Sequence, residues 1–177
     1  APGTRELAGS KALILGQGAI GQAVGRILQG FGVETLAVRR GSGDGWRARL
    51  GEFDWIVLAL PGTAETRGLI GAAELAAMKR EAVLVNFARA NIIDEAALID
   101  ALRDKRIAAA VLDVTDPEPL PPGHPLWSLD NAHLTMHLSG IPTPASLQRA
   151  AERCARNGEH FRNGEPLEAL VDLKLGY

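Results

Sequence analysis

The stretch Lys11-Ala-Leu-Ile-Leu-Gly-Gln-Gly-Ala-Ile-Gly21 decides the fold of this chain. Its apolar first half predicts a buried β-strand, and its three glycines then follow the pattern G-x-G-x-x-G. A helical pattern comes next, with one apolar stripe formed by Ile20, Val24, Ile27 and Leu28. A strand, a glycine turn and a helix in this order are typical of dinucleotide-binding proteins, although a glycine-rich turn without a ligand is the alternative.

Each glycine of this turn has a separate role in binding a pyrophosphate. Gly16 permits the tight turn, Gly18 lets the backbone approach the phosphates, and Gly21 lets the helix pack on the strand. The N–H groups near Ala19 and Ile20 lie in the first turn of the predicted helix, where they have no intrahelical acceptor. They also lie at the positive end of the helix dipole, so the sequence predicts that a phosphate binds there.

The composition indicates a globular protein. The 177 residues are 46% hydrophobic and 23% charged, enough for one domain with a substantial core. The net charge of −2 argues against a nucleic acid partner. No apolar run approaches the ~20 residues that span a bilayer and no signal-like segment precedes the first predicted strand, so we expect no membrane partner. The single cysteine, Cys154, cannot form an internal disulfide, which favours a reducing, cytoplasmic setting.

Apolar runs and helical patterns alternate along the chain. The predicted strands are residues 12–15, 33–38, 53–60, 82–87, 107–114 and 133–137. The predicted helices are residues 20–28, 46–50, 74–79, 94–103 (capped by Asp94) and 143–162, and a tail follows over 163–177. Strands that are continuous apolar runs are buried on both faces. The sequence therefore predicts a single α/β domain over residues 1–177, a doubly wound Rossmann fold with a mostly parallel sheet and helices on both faces.

Polar residues that follow predicted strands are the candidate site residues, because ligands bind beyond the carboxyl ends of strands in such a sheet. They are Arg39, Arg40, Asn86, Arg89, Asp113, Glu118 and His137.

The residues at the end of the second strand bear on which dinucleotide is bound. An NAD-binding unit usually has an acidic residue about 20 positions after the glycine turn, where it accepts hydrogen bonds from the ribose hydroxyls. Here that position is Arg39, with Arg40 beside it. Two arginines would pair with a 2′-phosphate, so the sequence predicts a preference for NADP(H), with NAD(H) possible. The alternative is that both arginines stack on adenine or face solvent.

Several further motifs occur in order along the chain. They are L-P-G-T-A-E-T-R-G-L-I over residues 60–70, V-N-F-A-R over 85–89, D-E-A-A-L-I-D-A-L over 94–102, L-D-V over 112–114, E-P at 118–119, P-L-W over 125–127, T-M-H over 135–137, and G-E-P-L, V-D and G-Y at 164–167, 171–172 and 176–177. With the glycine turn, this set resembles the NAD(P)-binding domain of the D-isomer-specific 2-hydroxyacid dehydrogenase family, over essentially all of residues 7–177. Members of that family carry a further domain ahead of this one that grips the substrate carboxylate. The resemblance therefore implies an isolated cofactor domain that is inactive by itself.

The resemblance assigns catalytic roles to three residues. His137 would be the acid/base, since an imidazole titrates near neutral pH. Glu118 would pair with it and favour the imidazolium, and Arg89 would bind the oxo group and carboxylate of the substrate. Each has a structural alternative: a strand-end histidine, a solvated loop carboxylate and a surface ion pair. The chain departs from the family at Ala90, where glycine is usual, and at Met136, where proline is common; either change could alter a catalytic loop.

The same resemblance implies a dinucleotide site at the strand ends. Its residues would be Gly16, Gly18, Ala19, Ile20, Gly21, Arg39, Arg40, Leu60, Pro61, Thr66, Phe87, Ala88, Asp113 and Gly140. Asp113 would contact the nicotinamide carboxamide, with a capping role as its alternative. We predict no metal site, and we expect His124, His133 and His160 to be structural or surface groups.

The function that the resemblance implies is NAD(P)-dependent hydride transfer to a small 2-oxo acid of the glyoxylate or hydroxypyruvate type. A phosphoglycerate dehydrogenase-like enzyme and a non-catalytic dinucleotide-sensing, corepressor-like module are the alternatives. The resemblance also implies a homodimer formed through this domain. The proline-rich stretch over residues 117–127 predicts Leu120, Leu126 and Trp127 as the exposed contacts of the dimer, unless Trp127 folds back onto its own domain.

Overall fold

The computed structural model describes residues 5–173; predictions that involve residues 1–4 or 174–177, including the G-Y motif, lie outside the described residues. Its strands are β1 (Lys11–Leu15), β2 (Glu34–Val38), β3 (Trp55–Leu58), β4 (Val83–Asn86), β5 (Ala109–Leu112) and β6 (Ala132–Leu134). Its α-helices are α1 (Ala19–Gly30), α2 (Ala72–Ala77), α3 (Glu95–Arg103) and α4 (Pro144–Asn163). Short 3₁₀ helices span Arg47–Glu52, Ala90–Ile92, Pro125–Ser128 and Leu138–Gly140.

The six strands form one parallel sheet in the order β2-β1-β3-β4-β5-β6. The chain leaves β1 first toward β2 and then returns through β3 to β6, which is the doubly wound α/β topology predicted from the sequence. The register places six residues side by side across the sheet: Val38, Leu15, Leu58, Asn86, Leu112 and Leu134. The residues that follow them therefore meet along one border of the sheet, called the carboxyl edge below.

One face of the sheet packs on a continuous apolar core, in which Leu13, Leu58 and Leu84 are fully buried. Side chains from α2, α3 and the 3₁₀ helix at 47–52 complete this core. Helix α1 packs on the opposite face of the sheet. In β1 the side chain of Ile14 lies on the face opposite to Leu13, because side chains alternate along a strand. A Cβ at Gly25 of α1 would lie only 3.5 Å from the Cδ1 of Ile14.

The stripe of Ile20, Val24, Ile27 and Leu28 is only partly buried in α1. Ile20 and Ile27 are 62% and 60% exposed, Val24 and Leu28 are half-buried, and the one buried residue of the helix is Gly21. Glycines have no side chain, so they let the helix axis come close to the sheet on the side that bears Gly21 and Gly25. The helical spacing of apolar residues predicted an apolar stripe on α1, but it did not identify the face of the helix that packs on the sheet.

Two predicted elements differ from the structure by more than the placement of their ends. The helix predicted over 46–50 is a 3₁₀ helix over Arg47–Glu52. The strand predicted over 133–137 ends at Leu134, because both Met136 and His137 have positive φ, which no strand residue adopts. The other elements agree with prediction to within about two residues at each end.

Capping side chains set the starts of two helices. The Asp94 carboxylate accepts a hydrogen bond from the N–H of Ala97 (3.1 Å), which confirms the predicted cap of α3. The Thr143 hydroxyl accepts one from the N–H of Ser146 (3.2 Å) at the start of α4.

The proline-rich stretch does not expose the apolar contacts expected of it. Leu120 and Leu126 are buried, 5% and 2% exposed, because the loop folds back and both side chains join the core. Trp127 is half exposed, and its indole N–H donates a hydrogen bond to the carbonyl of Pro121 (3.0 Å) within the same loop.

The chain divides by its internal contacts into two compact units, Ala1–His137 and Leu138–Tyr177. In the second unit no residue of α4 is buried. The chain after α4 returns along the helix, and the Arg156 guanidinium donates two hydrogen bonds to the Glu168 carboxylate (3.0 and 3.1 Å). A single domain over all 177 residues stays a prediction.

Candidate active site

The glycine turn lies against the end of β3. A Cβ on Gly16 would lie 2.3 Å from the carbonyl oxygen of Ala59, and its φ of +109° also requires glycine. A Cβ on Gly21 would lie 1.8 Å from the carbonyl oxygen of Gly16. At Gly18, by contrast, a Cβ would meet nothing within 4 Å. The turn is closed on the protein side and open at Gly18, which is the shape that an approaching phosphate requires.

The first turn of α1 suits an anion. Gly18 is the N-cap and has no side chain to satisfy the first N–H groups of the helix, and no acidic residue occupies the first turn. Ala19 and Ile20 are exposed there. These residues fit the pyrophosphate of a dinucleotide, because the donors and the positive end of the helix dipole face the open side of the turn.

Arg39 and Arg40 lie next to the glycine turn. The N–H of Gly16 donates a hydrogen bond to the carbonyl of Val38 (2.9 Å), the residue before the arginine pair. Both arginines are exposed, and Nη2 of Arg40 lies 2.9 Å from Oε1 of Glu65. A basic pair therefore stands where NAD-binding proteins usually have an acid.

The loop after β3 is held by its own side chains. Leu60 and Pro61 are half-buried at the carboxyl edge. The Thr66 hydroxyl accepts a hydrogen bond from the N–H of Thr63 (2.8 Å) and donates one to the carbonyl of Pro61 (2.7 Å). Thr66 thus fixes the loop, and cofactor contacts by Leu60, Pro61 and Thr66 stay predictions.

Asn86 positions the loop that carries Arg89. Its buried side chain accepts a hydrogen bond from the N–H of Ala88 (3.0 Å) and donates one to the carbonyl of Arg89 (2.9 Å). Arg89 is exposed, and Phe87 and Ala88 are half-buried beside it. Ala90 begins a 3₁₀ helix, a conformation that alanine adopts readily, so the departure from glycine leaves the loop intact.

Gly62 touches the same loop from the other side. A Cβ on Gly62 would lie 2.9 Å from both Cβ and Cγ of Arg89 and 2.6 Å from Oδ1 of Asn91. The stem of Arg89 is therefore packed against backbone that only glycine can supply.

Asp113 joins the ends of three strands. It follows β5 and is buried, its N–H donates a hydrogen bond to the carbonyl of Asn86 (2.8 Å), and its carbonyl accepts one from the N–H of His137 (2.5 Å). Its carboxylate accepts a hydrogen bond from the Thr135 hydroxyl. These bonds fit a structural role, and a contact with the nicotinamide carboxamide stays a prediction.

His137 and Glu118 are paired. Nδ1 of His137 lies 2.7 Å from Oε1 of Glu118, and the side chains are 42% and 36% exposed. The chain reaches this position through two left-handed residues, Met136 (φ +54°) and His137 (φ +61°). A proline at 136 could not adopt that φ, so the methionine permits a different local path from the one that proline gives.

The remaining candidates have other surroundings. Gly140 is exposed and belongs to the second unit, and its contact with a cofactor stays a prediction. His124 is held by Glu95 (3.2 Å), His160 contacts the carbonyl of Pro166 (2.8 Å), and His133 is exposed.

Within residues 5–173, no cluster of three or more His, Cys, Asp or Glu could hold a metal ion. No helix in that range is long and apolar enough to cross a membrane.

Three residues have roles in the site that the sequence did not predict: Asn86, Gly62 and Glu65. Asn86 was a candidate as a strand-end residue, but its hydrogen bonds to the loop of Arg89 were not predicted. Gly62 and Glu65 lie in the motif over residues 60–70, which does not reveal their contacts with residues of other loops.

Comparison with known proteins identifies the family. A family described as "D-isomer specific 2-hydroxyacid dehydrogenase, NAD binding domain" matches residues 1–139. The chain belongs to this family. A glyoxylate reductase of Aeropyrum pernix is 39% identical over 181 residues, which cover 96% of this chain and 54% of the relative. The chain thus spans about half the length of the curated relatives that it matches.

Solved structures agree with this assignment. An NADPH-dependent glyoxylate/hydroxypyruvate reductase of Sinorhizobium meliloti, in complex with NADP and sulfate, is 28% identical with a TM-score of 0.88, over 99% of this chain and 59% of that one. A D-isomer specific 2-hydroxyacid dehydrogenase of Lactobacillus delbrueckii ssp. bulgaricus in its NAD complex is 26% identical with a TM-score of 0.83, over 95% and 58%. The fold is therefore that of the NAD(P)-binding domain of 2-hydroxyacid dehydrogenases, and the family includes structures with either cofactor.

Proposed function

We propose that the complete protein reduces a small 2-oxo acid of the glyoxylate or hydroxypyruvate type with NADPH, and that this chain supplies the cofactor site and the acid/base pair. The observation that carries the proposal is the 2.7 Å contact between His137 Nδ1 and Glu118 Oε1 at the carboxyl edge. The relatives from Aeropyrum pernix and Sinorhizobium meliloti, both glyoxylate-reducing by name, support the substrate class.

The His137–Glu118 pair is suited to proton transfer. Glu118 accepts the hydrogen bond from Nδ1–H, and so fixes the tautomer and the ring orientation. The other ring nitrogen, Nε2, then holds the proton that passes to the substrate oxygen as the oxo group becomes a hydroxyl. The backbone that carries this ring is left-handed at both Met136 and His137.

Arg89 would bind the substrate. Its guanidinium is planar, permanently charged and exposed, which suits paired hydrogen bonds to a carboxylate. Asn86 fixes the backbone on which it stands, and Gly62 fixes the stem of its side chain.

The glycine turn would hold the pyrophosphate, and Arg39 and Arg40 would pair with a 2′-phosphate. When bound, the reduced nicotinamide supplies the hydride. Both arginines are exposed, and neither residue is the acid that an NAD-type ribose contact requires. This supports NADP(H) as the preferred cofactor, with NAD(H) accepted less well.

The test is a turnover assay of the complete protein with glyoxylate and hydroxypyruvate, followed by the loss of reduced-nicotinamide absorbance. We expect turnover with NADPH at a higher kcat/KM than with NADH. Replacing both Arg39 and Arg40 by glutamine should lower that selectivity about tenfold. Turnover with neither cofactor would favour the non-catalytic, dinucleotide-sensing alternative, and equal kcat/KM values would contradict the NADPH preference.

A cytoplasmic setting and a homodimer through this domain remain part of the proposal. Of the three apolar contacts predicted for the dimer, only Trp127 is exposed. A light-scattering mass of one chain at micromolar concentration would contradict the dimer.

A further inference from the structure

Glu65 places a carboxylate beside the predicted adenosine end of the cofactor site. Its Oε1 lies 2.9 Å from Nη2 of Arg40, which stands two residues beyond the end of β2. In NAD-binding proteins the acid that accepts hydrogen bonds from the ribose hydroxyls comes from this same strand end. Here β2 ends in arginines, and a carboxylate reaches the same neighbourhood from the loop after β3.

The position of Glu65 is fixed by its loop. Hydrogen bonds of the Thr66 hydroxyl with Thr63 and Pro61 flank it on both sides, and the N–H of Arg67 donates to the carbonyl of Thr63 (3.1 Å). The other partner is fixed as well, because the end of β2 is bonded to the glycine turn through Val38 and Gly16 (2.9 Å). The ion pair therefore joins two segments of one unit whose backbones are each held by hydrogen bonds.

We infer that Glu65 sets the balance between the two cofactors, an inference that rests on the proposed dinucleotide function. A 2′-phosphate that pairs with Arg40 must share the guanidinium with Glu65 and approach its negative charge, which weakens NADPH binding. A ribose 2′-hydroxyl can instead donate a hydrogen bond to the Glu65 carboxylate, which strengthens NADH binding. Glu65 thus moderates the NADPH preference that the two arginines create.

The variant Glu65→Gln tests this inference, because it removes the charge and keeps the shape. The pair is exposed, at 53% and 67% for the two side chains, so its loss should leave the fold unchanged. The matched control is Glu52→Gln, which breaks the comparably exposed Arg49–Glu52 pair before β3, at the opposite edge of the sheet.

The dissociation constants of NADPH and NADH would be measured with the 177-residue chain, from the nicotinamide fluorescence, at low and high salt. In Glu65→Gln we expect NADPH to bind about fivefold more tightly and NADH about threefold more weakly, with the NADPH gain reduced at high salt. The NADPH gain should disappear when Arg40→Gln is also present, since the two residues act on each other. Glu52→Gln should change neither constant.

Two results would overturn the inference and leave the proposed function standing. One is that Glu65→Gln leaves both constants unchanged. The other is that it weakens NADPH, which would mean that Glu65 orients Arg40 for the phosphate instead of competing with it. A wild-type chain that binds neither nucleotide would overturn both the inference and the proposed cofactor site.

Discussion

At the scale of single residues, Gly62 packs against the stem of Arg89, a proposed catalytic side chain. A Cβ there would lie 2.9 Å from Cβ and Cγ of Arg89, so Gly62→Ala must displace the arginine stem. In the complete protein we expect the KM for the 2-oxo acid to rise about tenfold, while the dissociation constant of NADPH changes less than about twofold.

The control for Gly62→Ala is Gly45→Ala, where the added methyl group would meet nothing within 4 Å. Steady-state kinetics and a nucleotide titration check both variants. An unchanged KM in Gly62→Ala would show that Arg89 does not bind the substrate from the position seen here.

The site residues divide into those that sequence motifs could predict and those that they could not. His137 and Glu118 were predicted as a pair, and the structure brings them to 2.7 Å. The Arg40–Glu65 pair joins residues 25 positions apart in different loops. Its geometry depends on the order of β2, β1 and β3 in the sheet, which local spacing does not contain.

At the scale of elements, α1 must approach the glycine turn closely. A Cβ on Gly21 would lie 1.8 Å from the carbonyl oxygen of Gly16, whereas one on Gly25 would meet only Ile14 Cδ1, at 3.5 Å. Gly21→Ala should therefore lower the free energy of unfolding by about 2–4 kcal/mol and abolish NADPH binding.

Gly25→Ala is the matched control in the same helix. It should leave binding intact and raise the free energy of unfolding by up to about 1 kcal/mol, because alanine favours helix over glycine. Urea denaturation and nucleotide titration measure both effects. Equal free energies of unfolding and equal NADPH binding in Gly21→Ala and Gly25→Ala would contradict the close contact between α1 and the glycine turn.

Asp54 ties the amino ends of two strands together. Its carboxylate accepts hydrogen bonds from the N–H of Lys11 (2.8 Å) and from the ammonium of Lys79 (2.8 Å). Partial burial acts to raise the pKa of Asp54, but the hydrogen bonds from Lys79 and Lys11 outweigh it and hold the pKa below its ordinary value. A lowered pKa stabilises the fold above the ordinary range of aspartate, and this contribution is lost as the pH falls through the lowered pKa.

We therefore expect Asp54→Asn to cost about 1–2 kcal/mol of unfolding free energy at neutral pH, and progressively less in acid. Asp100→Asn, which removes an exposed pair with Arg103, should cost less than about 0.5 kcal/mol at any pH. Urea titrations at several pH values separate these outcomes. A loss of unfolding free energy in Asp54→Asn that grows as the pH falls would contradict a lowered pKa of Asp54 in the folded protein.

Most elements followed from the sequence because apolar runs and caps act locally. The apolar run of β1 and the Asp94 cap of α3 were predicted and found. Two features were not predictable in this way. The packed face of α1 is set by glycines that contribute no hydrophobic signal. The early end of β6 is set by the left-handed backbone at Met136 and His137, which neither side chain favours by itself.

At the scale of the whole molecule, the described residues bring a glycine turn, two exposed arginines at the end of β2, the exposed Arg89 and a histidine–carboxylate pair to the carboxyl edge of a parallel sheet. The chain spans about half the length of its curated relatives, and turnover belongs to the proposed function. Binding of nucleotide, in contrast, is testable with the 177 residues alone.

We propose that His137 transfers the proton in a 2-oxo acid reduction. The most direct test is the kcat of glyoxylate reduction by NADPH in the complete protein and in its His137→Ala variant, with the dissociation constant of NADPH measured in parallel. We predict that kcat falls at least about a hundredfold while NADPH binding changes less than about twofold, because the imidazole acts in the chemical step. A kcat close to that of the unaltered protein would show that His137 is not the proton donor.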